Sequence, residues 1–177
     1  MRGLEAREHL YAEAARDYGS ALERLARAYE RDADRRQDLL QEIHVGLWRS
    51  LARFDRRCSL RTWVYRVAHN VATSHVIRPK AHARMFVPAE DLEAVTDPID
   101  REDLLDRQRA LDKLYELIRG LRPVDRQVML LYLEEVDAAA IGEITGLSAG
   151  NVATRIHRLK QVLSERFHRK DAVHERP

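Results

Sequence analysis

The sequence predicts an all-α chain of two small helical domains joined by an acidic linker. Three observations predict it. Apolar residues recur at helical spacing along nearly the whole chain, and period-two alternation is scarce. The 177 residues hold only seven glycines and five prolines, which disfavours a many-turned β fold. Between the two helix-rich halves, residues 79–98 combine Pro79, Pro88 and Pro98 with little periodicity, as a linker does.

The elements follow in order. A first helix spans about Arg7 to Tyr29 and ends in a charged turn, ERDADRR. A second runs from about Arg35 to Arg53, and FDRRCS forms a loop. Ser59 can cap a third helix, which lasts to about Arg78 and is stopped by Pro79. Helices resume at about Ile99–Arg119, Val124–Glu135, Asp137–Thr145 and Ala149–Arg169. The domains are therefore residues 1–80 and 108–170, with the acidic linker over 81–107 and a disordered tail over 171–177.

Net charge is only +2, but its layout is uneven. Arg49 to Arg84 is basic apart from Asp55; Glu90 to Asp106 is acidic apart from Arg101; Arg155 to Lys170 is basic again. Basic blocks suit polyanion partners, and equally suit solvated helix faces. No apolar run reaches the roughly 20 residues of a membrane helix, and the charged N-terminus has no signal-peptide core. The single cysteine, Cys58, cannot form an internal disulfide, so a cytoplasmic location is expected. There is no Gly-rich phosphate loop and no Cys/His set with zinc spacing. Glu165 and His168 make one Glu-x-x-His, whereas a di-iron bundle needs two and further carboxylates. The expectation is a protein with no catalytic residues, cofactor or metal; a helical metalloenzyme around Glu165 and His168 is the contrary reading.

The most specific local pattern is AAAIGEITGLSAGNVATRIHRLKQVL. Ile141 and Ile144 mark one face of a short helix, Gly146 suits a turn of positive φ, and Leu147 plugs that turn. Ser148 can cap the next helix, on which Val152, Ile156, Leu159 and Leu163 form an apolar stripe. This is a helix-turn-helix pattern, and a plain αα-hairpin used for packing is the alternative. Opposite the stripe lie Thr154, Arg158 and Gln161, with Asn151 and His157 beside them, placed to reach base edges in a major groove. Arg155 lies nearer the core, where a phosphate contact or an intramolecular pair is expected; Lys160 and Arg166 suit phosphates. Gly142 inside the first helix costs about 1 kcal/mol relative to alanine, and suggests a close approach there.

On the second helix, Leu40, Ile43, Leu47 and Leu51 form a core stripe. The opposite face carries Asp38, Gln41, Glu42, Val45 and Arg49, and by composition could be simply solvated. On the third helix, Leu60, Trp63, Val64, Val67, Ala68 and Val71 fall on one side and read as core. The other side and its flanks carry Arg61, Tyr65, Arg66, His69 and Asn70, preceded by Arg56 and Arg57 in the loop. These are candidates for a nucleic-acid surface.

Three stretches, in order, resemble the extracytoplasmic-function class of bacterial sigma factors: DRRQDLLQEIHVGLWRSLARFD, SLRTWVYRVAHNVATSH and LRPVDRQVMLLYLEEVDAAAIGEITGLSAGNVATRIHRLKQVL. The resemblance covers most of residues 34–163. It implies a promoter-specificity subunit whose partners are core RNA polymerase and promoter DNA, and commonly an anti-sigma factor, without membrane insertion. By resemblance, Asp38, Leu39, Gln41, Glu42, Val45 and Arg49 dock on the clamp helices of the polymerase largest subunit. Arg56, Arg57, Arg61, Tyr65, Arg66, His69 and Asn70 contact the minus-ten element. Ser148, Asn151, Thr154, Arg155, His157, Arg158 and Lys160 contact the minus-thirty-five element, and the linker threads toward the polymerase cleft. The chain departs from the family pattern at His44, Gly142 and Ala153, the last where a basic residue is common in the recognition helix. A free-standing dimeric helix-turn-helix regulator is the alternative, although no dimer seam is evident.

Overall fold

The computed structural model describes the backbone of residues 2–77 and 98–174. They form seven α-helices: α1 Arg2–Tyr29, α2 Ala33–Leu51, α3 Leu60–Ile77, α4 Pro98–Arg119, α5 Pro123–Leu133, α6 Ala138–Thr145 and α7 Ala149–His174. Local chemistry fixes their starts. Asp32 caps α2, its carboxylate accepting the Arg35 N–H at 2.9 Å. Ser59 caps α3 by accepting the Thr62 N–H at 3.0 Å. Pro123 opens α5, where a missing N–H costs nothing. Asp137 caps α6 by accepting from the amides of Ala139 and Ala140. The region read as linker over 81–107 lies outside the described residues as far as Asp97 and is helical from Pro98. The tail read as disordered from 171 continues α7 to His174.

Helices α1–α3 pack mutually as one unit, and α4–α7 as another. Leu39, Ile43, Leu47 and Leu51 of α2 are buried in a row of four-residue steps. Such rows are the ridges that interlock between crossing helices. Leu39, Ile43 and Leu47 meet Ala14, Leu22, Leu25 and Ala26 of α1 and Val64, Ala68 and Ala72 of α3. The two units are also docked. Helix α1 packs on α4, and α3 packs on α5 and α6. Leu117, Ile118, Met129 and Leu130 join the first core, while Ala21 and Tyr65 join Val128, Leu131, Ile141 and Val152 in a second.

The turn between α6 and α7 needs two glycines. Gly146 sits at φ 78° and its N–H bonds the Gly142 carbonyl. At Gly142, a Cβ would lie 2.6 Å from the Leu147 carbonyl oxygen, so the close approach is made by the turn itself. Gly142→Ala gains about 1 kcal/mol of helix propensity but forces backbone apart. A net loss of about 1–2 kcal/mol is expected, read as a lower urea midpoint with unchanged m-value.

Candidate polymerase and nucleic-acid interfaces

Three surfaces collect the candidate residues. The first is the outer face of α2. Asp38, Gln41, Val45 and Arg49 are exposed, Val45 to 46%. They border a groove whose far wall is Asn70, Val71, Ser74 and His75 of α3. Glu42 is half-buried there, 3.6 Å from His75. Leu39 does not belong to this face: it is fully buried in the α1–α2–α3 core. Asn70, read as a minus-ten candidate, opens instead into the groove beside Asp38 and Val45. Asn70, Ser74 and His75 were missed as members of this face, because sequence spacing shows one helix's face and not what the next helix adds. His44, a departure from the family pattern, bonds Tyr11 at 3.0 Å, and burial lowers its pKa.

The second surface is α3. Trp63 lies on the core side as expected, half-buried against Phe54, with its indole N–H donated to Ser50 at 3.1 Å. Arg56 and Arg57 are exposed in the preceding loop, Arg57 paired with Asp55 at 3.0 Å. Tyr65 and His69 correct the expectation of an open face: they are 2% and 1% exposed. The second unit covers them, with Leu130 and Glu134 lining the small cavity beside both. Burial next to Glu134 pushes the Tyr65 phenol up to about 12. Burial drives the His69 pKa down to about 3, so the ring is neutral; its Nδ1 shares a 3.0 Å hydrogen bond with the Tyr29 hydroxyl. The arginines of this face are engaged too. Arg61 donates to the Glu134 carbonyl and Arg66 to the Glu143 carbonyl, the latter at 3.0 Å.

The third surface is α7. Val152, Leu159 and Leu163 point inward, while Asn151, Thr154, His157, Arg158, Lys160 and Gln161 are exposed. Ser148 accepts the Asn151 N–H and so caps the helix. Thr154 bonds the Gly150 carbonyl of its own helix. Lys160 lies 5.7 Å from the Tyr132 ring. Arg155 is not free for DNA: it pairs with Asp125 at 2.6 Å and also bonds Asn151. The Arg158 guanidinium reaches the same carboxylate at 3.4 Å but remains largely exposed. Asp125, itself buried, ties α5 to α7 and fixes how α7 is presented. In the sequence it reads only as an acid in the first turn of α5, where the helix dipole favours one.

Among the described residues no cluster of three or more His, Cys, Asp or Glu side chains could hold a metal, and no helix is long and apolar enough to cross a membrane. Comparison with known families identifies the chain. The sigma-70 region 2 family matches residues 14–80 and the sigma-70 region 4 family matches residues 111–163. The chain is 26% identical over 139 residues to the ECF RNA polymerase sigma factor SigW of Bacillus subtilis, covering 74% of each. The chain belongs to the extracytoplasmic-function sigma factors. This sigma factor is also 27% identical over 143 residues to the RNA polymerase sigma-H factor of Pseudomonas aeruginosa, covering 76% of its own length and 74% of the relative. Its fold resembles that of CnrH, solved in complex with the cytosolic domain of CnrY. The TM-score is 0.63 at 19% identity, over 93% of the sigma factor and 91% of CnrH. The region 2 match of the sigma factor thus spans the second half of α1 with α2 and α3, and the region 4 match spans the end of α4, α5, α6 and the first part of α7.

Proposed function

We propose that this promoter-specificity subunit divides its work among the three surfaces. The α2 face, with Asp38, Gln41, Glu42, Val45 and Arg49, binds the clamp helices of core polymerase; an acidic rim around one exposed valine suits such a contact. Helix α3 and its preceding loop, through Arg56, Arg57, Arg61 and Arg66, hold the unpaired minus-ten strand. Helix α7 reads the minus-thirty-five duplex with Asn151, Thr154, His157 and Arg158, while Lys160 takes a phosphate. Each contact can be weak alone, because a linked second contact forms at high effective concentration. The chain contributes recognition and positioning, and the chemistry of RNA synthesis belongs to the polymerase, which also sets a cytoplasmic location.

The observation that carries this reading is the helix-turn-helix whose second helix turns Asn151, Thr154, His157 and Arg158 outward. Run-off transcription with core polymerase on genomic fragments tests it. Discrete transcripts that need both proteins are expected. Tight binding of the isolated chain to a palindrome would favour the dimeric regulator instead. Arg158→Ala is expected to weaken minus-thirty-five binding by about 1–3 kcal/mol if the guanidinium bonds one base bidentately. Unchanged discrimination among upstream sequences in that variant would remove its role.

A further inference from the structure

Asn151, one of the outward residues of α7, is held from behind, and this inference rests on the reading of α7 as the minus-thirty-five helix. Asn151 stands in the first turn of α7, and Arg155 follows one turn on, on the same side of the helix. The Arg155 Nε donates to the Asn151 Oδ1 at 3.1 Å, and its Nη1 donates to the Asp125 Oδ1 at 2.6 Å. One planar guanidinium therefore bridges a carboxamide and a carboxylate. Asp125 lies in the first turn of α5, where the helix dipole favours its charge, and is only 6% exposed. The bridge thus runs from a buried anchor on α5 to the exposed start of α7.

The bridge decides which way the carboxamide faces. An arginine Nε carries a hydrogen and only donates, so the oxygen of Asn151, not its nitrogen, must meet it. The Nδ2 group, with its two N–H donors, is left on the side away from Arg155. An asparagine that reads adenine uses both ends of the carboxamide, accepting from N6 and donating to N7. With its oxygen already engaged by Arg155, Asn151 is poised as a donor. Guanine offers such a donor two adjacent acceptors in the major groove, O6 and N7. Arg158 is a contrast on the same helix. Its guanidinium lies 3.4 Å from the same carboxylate, but its side chain is 60% exposed against 30% for Arg155. Asp125 therefore holds one arginine in and leaves the other able to reach out.

We propose that Asp125 and Arg155 are positioning residues for base reading: together they hold Asn151 with its amide donors outward and bias the base it meets toward guanine over adenine. Neither of the two touches DNA. A charge-assisted pair is short and directional, so the plane of the Arg155 guanidinium, and with it the Asn151 amide, keeps one setting. That setting depends on how α5 packs on α7 and not on the recognition helix alone.

The test uses the full chain with core polymerase, on a promoter recovered by the run-off experiment and with each base pair of its upstream element varied singly. Asn151→Ala is expected to flatten discrimination at one pair, which marks the pair that Asn151 reads. The wild type is expected to prefer guanine to adenine there by about tenfold. Arg155→Lys keeps the charge and can keep the ion pair with Asp125, but loses the Nε donor. It is expected to erase the preference at that pair alone, with a thermal midpoint near that of the wild type. Asp125→Ala is expected to erase it as well; if that variant melts early, Arg155→Lys alone decides. In an Asn151→Ala background neither substitution is expected to change that pair further, because all three act as one unit. An equal loss on every sequence from Arg155→Lys would mark a phosphate contact and overturn the positioning role. An unchanged preference in Arg155→Lys, a wild type that prefers adenine, or intact discrimination in Asn151→Ala would overturn it too, and would leave α7 as the reading helix. Wild-type transcription indifferent to the whole upstream element would instead overturn the reading of α7, and the positioning role with it.

Discussion

Leu39→Ala is expected to lower the stability of the sigma factor by about 2–5 kcal/mol and to leave the polymerase affinity of its folded fraction unchanged. Leu39 is fully buried and packs with Leu22, Ile43 and Val64 in the first core. Truncating it loses the transfer energy of the side chain and leaves a cavity. Val45, six residues along the same helix, should behave in the opposite way. Its side chain is 46% exposed beside the groove. Val45→Asp should shift stability by less than about 0.5 kcal/mol and weaken core polymerase binding by about tenfold, or ~1.4 kcal/mol. Urea unfolding and titration with core polymerase separate the two. A Leu39→Ala protein of normal stability and poor polymerase affinity would return that residue to the docking face.

Acid is expected to destabilise the fold through His69. The unfolded ring titrates near 6.5, and burial lowers the folded value to about 3. A histidine held neutral contributes stability that is fully present above the unfolded value. It is lost as pH falls, because only the unfolded chain takes up the proton in that window. The slope is about 1.4 kcal/mol per pH unit, so roughly 3 kcal/mol is lost between about pH 6.5 and about pH 4. His69 bonds Tyr29 and lies beside Tyr65 and Glu134. His44 shifts in the same direction and adds to the trend. Thermal melts of the wild type and His69→Gln across that range isolate the His69 share: the variant should show a visibly flatter dependence. Parallel profiles would mean that His69 is protonated without cost in the folded chain.

Much of the fold was legible because helix periodicity and caps are local. Ser59 and Gly146 each act within four residues of where they stand, so the start of α3 and the turn after α6 follow from them, whereas the sequence reading leaves Asp32 in a charged turn and Asp137 inside its helix, and the structure makes both of them caps. The Leu39 assignment failed for a small geometrical reason. The sequence reading puts Leu40 in the core stripe with Ile43, Leu47 and Leu51, and only the crossing with α1 and α3 selects the row of four-residue steps that begins at Leu39 and leaves Leu40 half-buried. Tyr65 and His69 failed for a larger one. Projection separates the two faces of α3 correctly, but it cannot reveal that helices some sixty residues downstream close over the second face. A hint was present: between Arg61 and Arg66 that face holds Thr62 and Tyr65, and His69 follows, a band with little charge for a surface meant to meet phosphates. Arg155 was legible as a residue near the core boundary, whereas its partner Asp125 was not, since nothing local to α5 marks that carboxylate for burial.

The two tryptophans of the chain have an optical consequence. Trp48 sits under the Arg7 guanidinium at 4.1 Å and against the edge of Tyr11, and Trp63 bonds Ser50 and packs on Phe54. All of these neighbours belong to α1, α2 and the loop before α3, and α4–α7 contain no tryptophan. Indole emission therefore watches one half of the molecule. Local unfolding of α4–α7 should leave the emission maximum in place, while unfolding of α1–α3 should move it to the red. Unmodified protein in a fluorimeter can thus tell which half of the molecule loses its structure first.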